Sequence, residues 1–529
     1  MLACGIAPIS TGMHGNRHAL WLQAQQHATA GRLEAAREAF EALLAHEPGH
    51  AGARALLASV LLAQSRLRDA CMQLSRAAGA LPPDPNFILR IAHGLRSVGE
   101  TNAALDCMRH PALAQSRDAS QQLALGHLYQ GLGLNPQALR CMQHARDAGM
   151  DSPDFRYFLA LQLQFNGRIA EAEASMEACL RAGPTFGRAS LSLARIRTQT
   201  TQSNHVDFIR ARLAQVAPGS EDRAAFEFAL YEELDDLGDH DAAWDALARG
   251  NAIMQARTRH DAGAESRLIE QLIRTFDTDA DPRTDDHDGP MPIFIVGLPR
   301  SGTTLLERIL GTHSQVASVG ELTDLPKQLR WTADLHGHAL LDDALLAATG
   351  TLDFAELGRR YLRQTQWRAQ GRRHYVDKLP PNWMLVGHIR RALPRAKVLH
   401  LVRDPMDVCF SNWRALFGDA YAYSYDFAAL AQHHRMYRKL MAHWHRVHPG
   451  FVLDVPYAEL VRAPEASCRR VLDFCGLPFE ADCLDHTRNR SSVSTLSSAQ
   501  VREPIHARGI GEWRRYAERL EPLRTLLDA

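Results

Sequence analysis

The stretch GLPRSGTT, residues 297–304, places two glycines, one arginine and three hydroxyls in eight positions. A nucleoside-triphosphate loop follows the pattern G-x-x-x-x-G-K-[ST], with its lysine against the terminal phosphates. Here Gly297 and Gly302 keep the glycine spacing, Thr303 stands where the lysine belongs, and Arg300 sits inside the loop. The N–H groups of residues 299–304 at a helix start suit one doubly charged phosphate, with the helix dipole and the hydroxyls of Ser301, Thr303 and Thr304 adding to the grip. Without the lysine, no cation is fixed for a second and third phosphate. The loop therefore fits a nucleotide whose single 5′-phosphate bears a group less charged than a phosphoryl chain, such as a sulfuryl group.

These residues need a strand to end on and a helix to open. PIFIVG (292–297) is a continuous apolar run entering the glycine turn, and TLLERILGTH (304–313) continues with helical spacing. HYVD (374–377), then PPNWMLVGHIRRALP, then KVLHLV (397–402) predicts a strand, a crossover helix and a parallel strand. FVLDV (451–455) predicts another strand ahead of the helical EASCRRVLDFCG. Ligands of such open sheets lie at the carboxyl ends of the strands. Three polar clusters fall there: Arg300 to Thr304, Asp377 with Lys378, and Arg403 with Asp404. Arg403 leaves one strand end, and Ser411 lies eight residues on, two turns into a helix that Pro405 can start. Both could reach one further anion.

The N-terminal half has a different logic. Gly31, Ser65, Gly99, Gly133 and Gly167 stand 34 residues apart, each followed five positions later by an alanine, from Ala36 to Ala172. Small residues also precede each turn (Ala24, Ala58, Ala92, Gly126, Ala160), and large ones follow at Phe40, Leu74, Met108, Met142 and Met176. This period resembles the tetratricopeptide repeat, in which small residues let paired helices approach and large ones fill the gap. Pro111 falls inside the expected second helix of the third unit, predicting a helix shortened or broken within residues 104–114. LGDHDAAWDAL (237–247) repeats the offset with Gly238 and Ala243, so helices should continue to about Thr275. Such an array most often binds a polypeptide; a spacer or a homodimer platform is the plainer use.

Sixty Lys and Arg balance sixty Asp and Glu, so no global field draws the chain to nucleic acid or an anionic membrane, and anion sites must be built locally. Nine scattered cysteines lack metal-site or disulfide-scaffold spacing and read as buried free thiols in a reducing cytoplasm. No run of 18 apolar residues occurs, and the N-terminus lacks a leader pattern, which argues against secretion or membrane spanning. The expected organisation is a tail (1–16), an all-α repeat domain (17–275), an acidic linker (276–291) and an α/β domain with a central parallel sheet (292–529). Five histidines at 433, 434, 443, 445 and 448 share a predicted amphipathic helix without carboxylates or thiols, which favours a solvated or interface face over a metal site. No metal is expected.

In its α/β half the chain resembles the sulfotransferases that use 3′-phosphoadenosine 5′-phosphosulfate (PAPS). That family holds the 5′-phosphosulfate in a P-R-S-G-T-T or P-K-S-G-T-T loop and the 3′-phosphate with an R-x7-S element. The resemblance implies cofactor contacts from Pro299, Arg300, Ser301, Gly302, Thr303, Thr304, Arg403 and Ser411. It is closest to the tyrosylprotein branch, and the fusion to repeats resembles bacterial multidomain sulfotransferases. VGEL (319–322) resembles the segment with the catalytic glutamate, implying Glu321 as base, and DKLP (377–380) implies Lys378 at the sulfate bridge. VPYAEL implies Tyr457 beside the cofactor, and SSAQVREPI (497–505) a loop closing on the 3′-phosphate. The branch has its basic residue just before the proline there; this chain has Arg502 followed by Glu503, so Arg502 takes the role one place over. The implied activity is sulfuryl transfer from PAPS to a hydroxyl, peptide tyrosine among the candidates, leaving PAP (3′-phosphoadenosine 5′-phosphate). Lys378 and Arg300 would neutralise the growing charge. Burial beside the acceptor is expected to raise the pKa of Glu321 enough for it to act as base.

Each residue has a plainer role. Glu321 could favour a helix start, Lys378 could be an ordinary exposed lysine, and Arg403 could pair with Asp407. A P-loop kinase or other NTPase would want the missing lysine and a magnesium ligand, for which Asp404, directly after an arginine, is poorly placed. A non-catalytic repeat scaffold would leave the anion loops without purpose. GEWRRYAERL (511–520) is expected as a closing helix, with Arg514 and Arg515 near the cofactor.

Overall fold

In the computed structural model all five repeat turn positions adopt left-handed backbone: Gly31 φ 70°, Ser65 φ 60°, Gly99 φ 87°, Gly133 φ 71° and Gly167 φ 80°. This is why the period punctuates on glycine, since a Cβ is disfavoured in that region. The structure describes residues 15–278, 287–489, 491–494 and 503–528. Ala36, Ala70, Ala104, Ala138 and Ala172 are all 0% exposed, and Phe40, Leu74, Met108, Met142 and Met176 are buried beside them. The third unit's second helix stops at Met108, and Pro111 opens a separate four-residue turn, Pro111–Ala114. The last helix before the sheet is Ala262–Thr275. Of the expected acidic linker, residues 279–286 lie outside the described residues.

The chain divides into two compact units. The first joins residues 1–132 with residues 323–365, so helices Asp324–Ala333 and Phe354–Thr365 pack with the early repeats although they follow the anion loop in sequence. Within it Thr101 donates to Asp324 (2.8 Å), and Gln328 donates to the Gly99 carbonyl (2.7 Å). The second unit comprises residues 133–322 and 366–529, holding the later repeat helices and the whole sheet.

That sheet has five parallel strands: β1 Met291–Gly297, β2 Val316–Ser318, β3 His374–Asp377, β4 Lys397–Val402 and β5 Val452–Pro456. Their order is β2-β3-β1-β4-β5, so the chain leaves β1 toward one edge and later returns to its other side. The gap between β1 and β4 is the switch point where open sheets bind ligands. β1 is buried along its whole length, as its unbroken apolar run predicts for a strand covered on both faces. Ile293, Ile295, Leu306, Val376, Leu399 and Val455 form the core beneath, each contributing about 1.5–3 kcal/mol by burial. The short β2 has no apolar run long enough to signal it, and the sequence reading passed over it.

The histidine-rich helix is Phe427–Val447, and of the expected solvated or interface face it is the packed, interface-like one that forms. His433, His434, His443 and His448 are all buried. His433 pairs with Glu265, and His443 bonds the Phe276 carbonyl (2.8 Å). The carboxylate missing from the helix comes from β5: Asp454 lies 2.7 Å from His400 and 2.8 Å from His445. Each described cysteine is buried and free.

Candidate active site

Helix Thr303–Leu310 opens directly from the turn after β1, with Gly302 at its N-cap (φ 107°). The Leu305 N–H donates to the Gly302 carbonyl (3.0 Å), which leaves the N–H groups of Thr303 and Thr304 as the orphan donors of the helix start. Arg300, not a glycine, holds φ 65°, at a cost of about 1–2 kcal/mol that the surroundings must impose. Part of that imposition is Asn412, which donates to the Pro299 carbonyl (2.7 Å) and to the Val408 carbonyl (2.8 Å). A Cβ on Gly302 would stand 2.6 Å from the Tyr457 ring, so no larger residue fits between loop and ring.

A cavity of about 520 Å³ opens on this loop, lined there by Pro299, Arg300, Thr303, Thr304, Glu321 and Pro380. Burial and the nearby cations Arg414, Arg195 and Arg403 lower the pKa of Arg300 to about 9. Two of these cations are themselves paired, Arg195 with Glu232 and Arg414 with Glu512, each at 2.7 Å. The local build-up is notable in a chain whose charges otherwise cancel.

Glu321 and Lys378 meet at this cavity's edge. The Lys378 side chain is 1% exposed and its Nζ donates to Glu321 Oε1 at 2.6 Å, so Lys378 is not an ordinary surface lysine. Glu321 itself is 41% exposed, which corrects the expected burial of that carboxylate. Its position is set by Glu307, a buried residue on the loop helix whose Oε1 accepts from Ser318 (2.8 Å) and from the Gly320 N–H (2.8 Å). The Lys378 N–H in turn donates to the Gly320 carbonyl (3.0 Å). Anion loop, carboxylate and lysine are thereby tied into one rigid piece.

A second cavity, about 120 Å³, lies between the loop, Arg403, Tyr457 and residues 503–506. The Arg403 guanidinium faces the glycine turn, donating to the Arg300 carbonyl (2.7 Å) and to the Gly509 carbonyl, with the Tyr457 ring 4.8 Å away. No Arg403–Asp407 ion pair forms among the described residues; both Asp407 carboxylate oxygens accept from the Gly511 N–H. Burial pulls the Arg403 pKa down and pushes the Tyr457 phenol up. Ser301 is 1% exposed, and its Oγ has no hydrogen-bond partner among the described residues. It lines a third cavity, on the side of His400 and Tyr437. Ser411 is buried in helix Pro405–Trp413 and lines none of these three cavities, and Arg502 lies outside the described residues.

The expected closing helix at 511–520 is corrected to a 3-10 turn, Glu512–Tyr516, with the helix beginning at Glu521. Arg515 pairs there with Asp235 (2.8 Å) and lines neither of the loop's two cavities. The sequence reading missed Glu307, Asn412 and the Gly509–Gly511 turn. Glu307 lies one helical turn past Thr303 and Asn412 directly follows Ser411, so both could have been suspected from spacing; the turn had no such signal.

Residues 292–481 match the sulfotransferase family model, and residues 27–88 match the tetratricopeptide repeat model. The chain is thus similar to sulfotransferases in its α/β half and to tetratricopeptide repeats in its early helices. An Aquifex aeolicus protein described as uncharacterized is 30% identical over 333 residues, 61% of this chain and 44% of that protein. The protein-tyrosine sulfotransferase of Drosophila melanogaster is 25% identical over 275 residues, 47% of this chain and 53% of its own length. This chain thus spans only about half of these relatives. Among solved structures, the sulfotransferase domain of a Synechococcus olefin synthase aligns with 45% of this chain and 98% of its own, at 24% identity and a TM-score of 0.28. No described helix of the chain is long and apolar enough to cross a membrane.

Proposed function

We propose that the chain transfers a sulfuryl group from PAPS to an acceptor hydroxyl. The observation that carries this reading is the single cavity shared by the loop and Glu321, whose carboxylate accepts from Lys378 behind it. The loop lacks the lysine of a triphosphate site yet collects Arg300 and Arg403, which suits one phosphate bearing a singly charged group.

PAPS supplies an electrophilic sulfur and a good leaving group. At the sulfur, a new S–O bond to the acceptor oxygen forms as the S–O bond to the 5′-phosphate breaks; that phosphate keeps the electron pair and leaves as part of PAP. Glu321 takes the acceptor proton and passes it to solvent across its exposed side. Loss of the carboxylate charge releases the ammonium of Lys378 as negative charge grows on the departing phosphate. Arg300 and the loop N–H groups hold the non-bridging oxygens. Backbone at Gly302, the hydroxyls of Thr303 and Thr304, and Arg403 with Tyr457 at the second cavity complete the donor's seat. We assign Ser301, Ser411, Pro299 and Arg502 to the same seat on the family resemblance alone.

The names of the Drosophila relative and others like it support peptide tyrosine as one acceptor, and the repeats support a polypeptide partner. Thermal shift with PAP, against ATP with Mg²⁺, tests the donor site, and transfer of labelled sulfate from PAPS tests the activity. Saturation by PAP at a hundred times Kd should stabilise the chain by about 2.7 kcal/mol. Stabilisation by ATP alone would make it a kinase, and by neither a scaffold.

A further inference from the structure

The far wall of the cavity above the anion loop is not built by the α/β fold. It comes from two helices of the repeat region, Pro153–Phe165 and Gly187–Ala194, which belong to the same compact unit as the sheet. On the first, Tyr157, Leu161 and Phe165 lie at i, i+4 and i+8, one stripe along the cavity. The helix already fills its core with a different set, Phe155, Leu159, Ala160 and Leu163, all buried. The half-buried Tyr157–Leu161–Phe165 stripe is a second apolar face, with the Tyr157 ring resting on Phe186 (centroids 5.0 Å apart) and all three side chains lining the cavity.

The polar groups on this wall are held by each other. Arg188 pairs with Glu221, Arg195 pairs with Glu232 (2.7 Å), and the Tyr157 phenol bonds Ser192. With the charges engaged, the stripe is left to meet an apolar body. Glu321 lines the same cavity, so a molecule resting on the stripe presents its hydroxyl to that carboxylate.

We infer that the repeat region is part of the active site, and that Tyr157, Leu161, Phe165 and Ser192 select the acceptor: a hydroxyl carried on an apolar body. This rests on the transfer reading above. It assigns specificity to a domain that a recruiting platform would leave outside the chemistry.

The test compares the wild-type chain with Leu161→Trp, Ser192→Trp and, as a control on the exposed side of the same helix, Asp154→Asn. Each is incubated with sulfate-labelled PAPS and an extract of the source cells, and each is checked for thermal shift by PAP. Both tryptophan variants should cut total labelling at least tenfold or change the set of labelled products; Asp154→Asn should stay within twofold, and every variant should keep the full PAP shift. Labelling by the wild type should be competed by 4-nitrophenol and not by glucose. Tryptophan variants that label the wild-type set at more than half its rate would overturn the inference, as would competition by glucose alone. Loss of the PAP shift in those variants counts against it as well, because the damage would then reach the donor seat. A wild type that binds PAP and labels nothing would instead defeat the transfer reading, and the inference with it.

Discussion

Glu321→Gln separates a catalytic base from a structural ion pair, because the two roles differ in size. The amide is isosteric and still offers an oxygen to Lys378, whose Nζ lies 2.6 Å from the carboxylate. An exposed pair contributes about 0–1 kcal/mol, and breaking a buried one costs about 3–5 kcal/mol. With Lys378 1% exposed and Glu321 41% exposed, the stability loss should fall between these, near 1–3 kcal/mol. Against a usual reserve of about 5–15 kcal/mol, that leaves the protein folded and its donor seat intact. Removing a general base instead raises the barrier by about 2.7–5.5 kcal/mol, the equivalent of about 10²–10⁴ in rate. The assay is the initial rate of labelled sulfate transfer at saturating PAPS, with PAP thermal shift as the control for the seat. A variant that keeps the PAP shift and more than a tenth of the wild-type rate would refute the assignment.

The remaining predictions concern binding and stability. PAP affinity should be steady through neutral pH and fall above about pH 9, measured by titration calorimetry, because free Arg300 loses its proton there while the bound anion holds it on; an affinity flat to pH 10.5 would count against Arg300 as the anion's partner. Gly302→Ala should weaken PAP at least tenfold, since its Cβ would meet the Tyr457 ring at 2.6 Å in a backbone of φ 107°; an unchanged Kd would show that the loop is not the seat. Ser65→Gly should raise the denaturation midpoint by about 0.5–1 kcal/mol of stability, because Ser65 alone among the five repeat turns carries a Cβ at positive φ; a loss of stability would mean the Ser65 side chain makes up more than its backbone costs.

The sequence by itself determined whatever depends on local pattern. The 34-residue register fixed where the backbone turns left-handed and which alanines lie between helices, and both follow from the size of a side chain at one position. The strand run into Gly297 is legible because a strand covered on both faces must be apolar throughout. The spacing of Gly297 and Gly302 pointed to an anion loop, and the threonine at position 303 set it apart from a triphosphate loop. What only the tertiary structure decided are pairings between residues far apart in the chain. Glu307 reaches the Gly320 N–H across a turn, Asp454 of β5 supplies the carboxylate for His400 and His445, and Arg403 bonds Gly509 more than a hundred residues away. Helices at 153–165 and 187–194 line the cavity above the anion loop for the same reason. Such contacts leave no periodic trace: a hydrogen bond or a cavity wall constrains one side chain at each end, and which ends meet is set by how the helices pack on the sheet.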